Sequence, residues 1–223
     1  AGIARPRTEE LSRMMFEGRS WSGHERNCCY LNLGARKQDA GPSFANVSAS
    51  SGLDHDDDGR AVIASDWDGD GDLDLWMSNR NAPRLRLMRN GSAAGAKHFL
   101  QLRLQGDAST NNRDAIGARV ELTLPGGGGP LIKTLRAGEG FLSQAGKTVH
   151  FGLGDAAGIE GGRIRWPDGH WQPLDALEAD RCYLVIQGKA ATALPPRPQN
   201  GIALTAGTIE LPPTTGRARI PAI

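Results

Sequence analysis

Apolar and polar residues alternate along much of the C-terminal half of the chain. In residues 100–105, leucines at every second position are separated by glutamine and arginine, and residues 119–124 show the same alternation. A period of two is typical of strands that bury one face in an antiparallel sheet. Similar patterns predict strands at 131–136, 148–153, 163–166 and 182–187.

Turn residues separate these predicted strands. Pro125 and the glycines of 126–129 predict a hairpin between the strands on either side, and Pro167-Asp168-Gly169 predicts a second tight turn. Residues 97–189 are therefore predicted to form a small β-sandwich or β-barrel, of which we expect the antiparallel sandwich. The inward positions of its strands form the predicted core, which consists of Leu100, Leu102, Leu104, Val120, Leu122, Ile132, Val149, Phe151 and Ile164.

The N-terminal half contains shorter predicted elements. One short helix is predicted over residues 8–15, because Thr8 can cap it, acidic residues occupy its first turn and Leu11, Met14 and Met15 share one face. Short runs of apolar and β-prone residues predict strands at 28–32, 44–47, 61–64 and 73–77.

The predicted fold class is all-β with this one short N-terminal helix. The tail from Ala190 is Pro-rich and weakly periodic, which predicts an extended strap rather than a packed domain. Four segments follow from these patterns: an N-terminal segment (1–43), a repeat-like segment (44–92), the β-domain (97–189) and the tail (190–223).

Aspartates at alternate positions between two predicted strands point to a metal site. The nine residues from Asp66 to Asp74 carry aspartates at 66, 68, 70, 72 and 74. Close carboxylates repel one another, and a hard divalent cation reverses the sign of that interaction. We expect Ca²⁺ bound by Asp66, Asp68, Asp70 and Asp74 with the backbone carbonyl of Asp72, around a bend at Gly71. Strands flank this loop and no glutamate occupies its twelfth position, so it is not an EF-hand.

Composition excludes several classes of function. The chain of 223 residues carries 26 Lys and Arg against 25 Asp and Glu, and this balance argues against nonspecific nucleic-acid binding, which needs a basic surface. No apolar run is long enough to span a membrane. The sequence also lacks a G-x-S-x-G elbow and an H-E-x-x-H motif, and no catalytic residue is identified.

The three cysteines leave two alternatives open. A disulfide could link Cys182 to Cys28 or to Cys29, or all three thiols could be reduced. The spacing contains no C-x-x-C pair, which argues against zinc.

Two groups of polar and aromatic residues are candidates for binding a ligand. Arg136, Glu139 and Gln144 lie around a glycine-flanked loop and could form a polar pocket for a sugar or a peptide. The other group lies at the predicted turn of 167–169 and could form an aromatic platform for a carbohydrate; it consists of Trp166, His170 and Trp171.

Two parts of the chain resemble known families. The segment from Asp66 to Trp76 resembles an FG-GAP/VCBS repeat, a calcium-loop blade. Residues 111–188 resemble the ASPIC/UnbV domain, through stretches that include Gly117-Ala118-Arg119-Val120, Val149-His150-Phe151-Gly152 and Trp166-Pro167-Asp168-Gly169. In this order the pair is similar to the CRTAC1-like (cartilage acidic protein 1) family, which implies a secreted, cell-surface or periplasmic protein with bound calcium.

Three functions remain open at this stage. The first is a noncatalytic, calcium-stabilised extracellular or periplasmic interaction module that binds a protein partner or assembles with itself. The second is a carbohydrate-binding module, and the third is a calcium-dependent enzyme of unidentified reaction. Calcium binding without turnover would favour the first two over the third.

Overall fold

The chain folds into short β-strands with very little helix, as the alternating pattern predicts. The computed structural model describes residues 12–14, 16–17, 23–35, 42–80, 82–91 and 97–196. Its elements in chain order are β1 (Tyr30–Ala35), β2 (Pro42–Asn46), α1 (Ser48–Ser51), β3 (Gly59–Ser65), β4 (Asp74–Asn79), β5 (Leu85–Met88), β6 (His98–Gln105), β7 (Arg119–Thr123), β8 (Leu131–Thr134), β9 (Thr148–Gly154), β10 (Gly158–Ile159), β11 (Gly161–Arg165), β12 (Trp171–Leu174), β13 (Leu177–Glu178), β14 (Arg181–Ile186) and β15 (Thr192–Ala193).

The N-terminal part of the described chain forms two small antiparallel sheets. Strands β1 and β2 pair as a hairpin, and β3, β4 and β5 form a three-stranded meander. The predicted strands on either side of the aspartates are therefore confirmed as β3 and β4. Residues 12–14 of the predicted N-terminal helix are helical, as is residue 16 just beyond it; the rest of the span 8–15 lies outside the described residues.

Two four-stranded sheets build the predicted β-sandwich. One has the strand order β12-β11-β7-β8 and the other the order β15-β14-β6-β9. Alternate residues of β6, β7, β9 and β11 meet between the sheets in one hydrophobic core. Eight of the nine predicted core residues are buried there, namely Leu100, Leu102, Leu104, Val120, Leu122, Val149, Phe151 and Ile164.

The ninth predicted core residue, Ile132, is a correction. It is 45% exposed and pairs with Glu121 across the β7–β8 ladder, on the outer face of its sheet. The neighbours that pair with the inward residues Val120 and Leu122 are Lys133 and Leu131. Side chains alternate between the two faces, so the register of β7 places Ile132 outward despite its apolar character.

The sandwich is also not purely antiparallel. Strand β14 pairs in parallel with β6, with Arg181 opposite Leu100 and Ile186 opposite Gln105. The chain reaches β14 after passing through the opposite sheet, and this crossover allows the strand to run in the same direction as β6.

The cysteines and the tail have simple outcomes. Cys28, Cys29 and Cys182 form no disulfide, so of the two alternatives that the sequence left open the structure has the reduced thiols. At the start of the tail, Thr192 and Ala193 form a short strand beside β14. Residues 197–223 of the predicted strap lie outside the described residues.

Candidate metal site and adjoining cavity

The loop of residues 66–73, called the aspartate loop below, connects β3 to β4. The two strands pair from Gly59 to the end of the sheet, where Ser65 lies opposite Asp74, so the loop begins and ends at one point. Gly69 and Gly71 have φ angles of 80° and 96°, a left-handed conformation that glycine adopts without steric cost. The predicted bend at Gly71 is confirmed.

Backbone amides hold the side chains of the aspartate loop in place. Asp66 Oδ1 accepts a hydrogen bond from the amide of Gly69 over 2.8 Å, and Asp70 Oδ1 accepts one from the amide of Asp72 over 2.9 Å. Asp68 Oδ1 accepts a longer one from the amide of Asp70, over 3.3 Å. The second oxygens of Asp66 and Asp68 accept hydrogen bonds from Gln101 and Arg89, and that of Asp70 lies 3.8 Å from Arg89 Nη2.

Three of the five predicted ligands come together. Asp66, Asp68 and Asp70 each offer a carboxylate oxygen, and these three atoms lie within 4.8 Å of one another. Burial raises the pKa of Asp70, and the neighbouring charges of Asp68, Asp72 and Asp66 raise it further. The guanidinium of Arg89 offsets part of this repulsion, with Nε 2.8 Å from Asp68 Oδ2 and Nη2 3.8 Å from Asp70 Oδ2.

The other two predicted ligands are placed differently. Asp74 is only 2% exposed, and both of its oxygens accept backbone hydrogen bonds, from Trp67 over 3.1 Å and from Asn90 over 2.8 Å. Asp74 thus ties the start of the loop to the segment after β5. Asp74 does not belong to the group of three convergent carboxylates. Asp72 donates its backbone amide to Asp70, and the predicted use of its backbone carbonyl as a ligand stays a prediction.

Two acids of the preceding segment, Asp54 and Asp57, pair with arginines. Asp57 is buried and hydrogen bonds to Arg86, whose Nη2 lies 3.0 Å from Asp57 Oδ1. That side-chain hydrogen bond is the main cause of the lowered pKa of Asp57. Asp54 pairs with Arg26 at 2.6 Å from Nε to Oδ1. These acids have structural partners and are not gathered around a point.

The aspartate loop contacts β6 and β9 of the sandwich. Gln101 Nε2 donates to Asp66 Oδ2 over 2.7 Å and lies 3.5 Å from His150 Nδ1. A Cβ added to Gly71 would lie 2.1 Å from Phe99 Cε1, so the ring of Phe99 packs directly on the bend of the loop. The rings of Phe99 and His150 stack with centroids 5.7 Å apart. Burial lowers the pKa of His150, and the charge of Lys133 adds to this effect.

A polar cavity of about 220 Å³ lies between the aspartate loop and strands β8 and β9. Arg136 and Glu139, two residues of the predicted polar pocket, line this cavity together with Asp66. Gln144, the third, is exposed and lies outside the lining. Further polar side chains of the lining come from the two strands and from β6; they are Gln101, Lys133, Thr134, Thr148 and His150.

The predicted aromatic platform does not assemble. Trp166 is 2% exposed in the sandwich core, and its Nε1 donates to Gln172 Oε1 over 3.0 Å, so neither ring face is open to a ligand. Trp171 is 44% exposed, with the guanidinium carbon of Arg163 4.2 Å from its ring centroid. His170 is exposed, and its Nδ1 lies 3.1 Å from Asp168 Oδ2. Only His170 and Trp171 reach the surface.

Sequence reasoning missed four residues of this region: Arg89, Phe99, Gln101 and Lys133. Gln101 and Phe99 occupy outward positions of β6 and contact a loop that precedes them by about thirty residues, and no local pattern encodes such a contact. Arg89 follows β5 and could have been found only as a basic residue near an acidic loop.

None of the helices in the described residues has the length and apolar character to cross a bilayer.

Comparisons with known proteins relate the C-terminal part of the chain to one family. Residues 108–192 match the family model described as ASPIC and UnbV. The chain is 28% identical over 138 residues to cartilage acidic protein 1 of Mus musculus, a match that covers 60% of this chain and 20% of that protein. These findings support a relationship to ASPIC/UnbV and CRTAC1-like proteins. The FG-GAP resemblance of the aspartate loop stays a prediction.

One solved structure also shows a weak likeness. It is the crystal structure of a candidate cell adhesion protein from Bacteroides uniformis, which is 13% identical and is matched over 72% of this chain and 84% of that chain. The TM-score of 0.24 is too low to indicate a common fold.

Proposed function

We propose that this chain is a noncatalytic, calcium-stabilised interaction module that works outside the cytoplasm, at a cell surface, in the extracellular space or in the periplasm. The observation that carries the proposal is the convergence of Asp66, Asp68 and Asp70, whose carboxylate oxygens lie within 4.8 Å of one another on a loop fixed by backbone hydrogen bonds.

The donors of the aspartate loop fit calcium better than other common ions. Carboxylate oxygens are hard ligands that suit Ca²⁺ and Mg²⁺, whereas zinc sites draw on cysteine and histidine. A loop with two glycines in left-handed conformations favours the more variable coordination of Ca²⁺ over the strict octahedron of Mg²⁺. Asp66, Asp68 and Asp70 would hold the ion, and a backbone carbonyl and water would complete its coordination.

Calcium would act on stability rather than on chemistry. The bound ion would relieve the repulsion among the three carboxylates, and its binding free energy would add to the stability of the fold by mass action. At a hundredfold excess of free ion over Kd, the gain is about 2.7 kcal/mol.

An interaction role is supported by apolar side chains that the β1–β2 hairpin leaves in solvent. Tyr30, Leu31, Leu33 and Phe44 are each more than half exposed. An isolated two-stranded hairpin is only marginally stable in water, and contact with a protein surface would stabilise it. A second copy of this chain is the first partner to examine.

Thermal unfolding in calcium, magnesium and excess EDTA tests the calcium part of the proposal. We expect calcium to raise the melting temperature of the wild type by several degrees and magnesium to raise it less. Asp68→Asn should remove most of the calcium effect, and Asp175→Asn, at an exposed position outside the loop, should not. A wild type whose melting temperature is the same in calcium and in EDTA would refute the proposal.

Light scattering on the purified chain tests the interaction part. We expect self-association that weakens in Leu31→Ser and persists in Leu142→Ser, a control at an apolar side chain that is 91% exposed on another loop. A chain that stays monomeric at high concentration would point to a different protein as the partner.

A further inference from the structure

The cavity beside Asp66 has the size of a site for one small polar group. Its volume of about 220 Å³ lies below the range of roughly 300–1,000 Å³ that is typical of pockets for drug-sized ligands. The lining contains no tryptophan, tyrosine or phenylalanine among the described residues, so hydrogen bonds and charge must select the ligand rather than stacking. A single sugar ring or one side chain matches this space.

The lining contains two cationic side chains, Lys133 and Arg136, and neither forms an ion pair with a carboxylate of the described residues. Lys133 Nζ lies 5.7 Å from the centroid of the Phe151 ring. Lysine and arginine side chains only donate hydrogen bonds, and arginine matches the two oxygens of a carboxylate. They therefore favour a ligand that carries an anionic oxygen group.

The remaining polar groups of the cavity suit hydroxyl groups. Thr134 and Thr148 can donate and accept hydrogen bonds, and Glu139 offers two acceptor oxygens. A simple anion such as acetate would leave Glu139 facing a like charge. A ligand with both a carboxylate and several hydroxyl groups would satisfy the cations and Glu139 together.

We propose that this cavity binds a uronic-acid residue of an acidic glycan, with its carboxylate held by Lys133 and Arg136 and its hydroxyl groups by Glu139 and Thr148. The inference rests on the proposed interaction module, for which it names the class of ligand. Because Asp66 borders the cavity, an ion on the aspartate loop would neutralise one of the two lining carboxylates and strengthen the binding of an anion.

Calorimetry with sodium glucuronate as the probe tests this inference. We expect glucuronate to bind the full chain, glucose to bind at least about tenfold more weakly, and excess EDTA to weaken the binding of glucuronate. Lys133→Gln and Arg136→Gln should each lower the affinity by about tenfold, the usual effect of losing a hydrogen bond to a charged group. Arg113→Gln, which removes the same charge from an exposed side chain outside the cavity, should leave it unchanged.

Several outcomes would overturn the inference. They are the absence of glucuronate binding, equal binding of glucose, unchanged affinity in both cavity variants, and tighter binding of N-acetylglutamate, which would assign the cavity to an acidic side chain of a protein. Lys133→Arg retains the charge and should retain binding, which separates a role in binding from a role in folding.

The result for calcium is measured separately on the same samples. A calcium-dependent melting shift without glucuronate binding rejects only the ligand, whereas glucuronate binding without a melting shift rejects the calcium site.

Discussion

Gln101 and Asp66 join the two halves of this protein through one hydrogen bond, from Nε2 to Oδ2 over 2.7 Å. Gln101 lies on β6 of the sandwich, and Asp66 opens the aspartate loop. The amide thereby fixes the orientation of a carboxylate that also accepts the amide of Gly69 through its other oxygen. A ligand oriented in this way needs less rearrangement when it binds an ion.

Gln101→Ala should therefore weaken calcium binding by about 10–100-fold, the usual cost of losing a group that orients a metal ligand. Calcium calorimetry measures this effect. Gln105→Ala on the same strand serves as the control, because the side chain of Gln105 has no described contact with the loop. Equal calcium affinities in wild type and Gln101→Ala would show that the hydrogen bond does not prepare the site.

Gly71→Ala should destabilise the protein by about 2–4 kcal/mol. About 1–2 kcal/mol comes from placing a Cβ in the left-handed region and the rest from its overlap with the ring of Phe99. The matched control is Gly52→Ala, where φ is 73° and a Cβ would meet nothing within 4 Å. The difference between the two variants in chemical unfolding isolates the contact between the loop and the sandwich, and equal losses would mean that Phe99 yields at no cost.

Leu122→Ala should lower the free energy of unfolding by about 2–5 kcal/mol, because Leu122 is 0% exposed between the two sheets. Ile132→Ala, on the neighbouring strand, should change it by less than about 0.5 kcal/mol because its side chain faces solvent. Urea unfolding of both variants checks the assignment of the two faces. Similar losses at the two positions would contradict the outward placement of Ile132.

Asp168 should make the sandwich sensitive to acid. Its pKa is lowered from 3.8 to about 2, first by the backbone amide of His170 and also by the side chains of His170 and Asn111. A depressed carboxyl pKa gives stability that is fully present above the unfolded value near 3.8 and is lost as the pH falls through about 2. The charged carboxylate is thus the stabilising form.

Asp168→Asn removes this titration and should flatten the loss of stability between pH 3.8 and about 2. Urea unfolding across that interval measures it, with Asp175→Asn as a control at an exposed carboxylate. Parallel pH profiles for wild type and Asp168→Asn would show that other carboxylates dominate acid unfolding.

The alternating pattern predicted the sandwich well because burial on one face is a local constraint on sequence. The prediction of buried residues failed where the apolar character of a residue was given more weight than its position in the two-residue alternation. Ile132 is apolar at an outward position, and Lys133 occupies the inward position next to it. Trp166 continues the inward phase of Ile164, so its burial could have been predicted from spacing alone.

Other features depend on which distant segments of the chain meet, and a two-residue alternation of apolar and polar residues carries no information about that. Strand direction is one, since the pattern of β14 is the same whether it pairs with β6 in parallel or antiparallel. The aspartate loop was predicted from its own residues, whereas Gln101 and Phe99, which support it, come from a strand with no acidic signature. Asp74 was predicted as a ligand from its alternate position, and the backbone amides that its two oxygens accept could be found only in the structure. Its role as a ligand stays a prediction.

The parallel pairing of β6 with β14 has a consequence for the order of folding. Arg181 must reach Leu100 across the whole intervening chain, and such nonlocal pairing slows folding because loop closure precedes any gain in contacts. During synthesis, β6 therefore carries an unpaired edge until β14 leaves the ribosome. The aspartate loop, which Gln101 contacts in the folded protein, precedes β6 in the chain and is therefore the first segment available to cover this strand before β9 and β14 are synthesised.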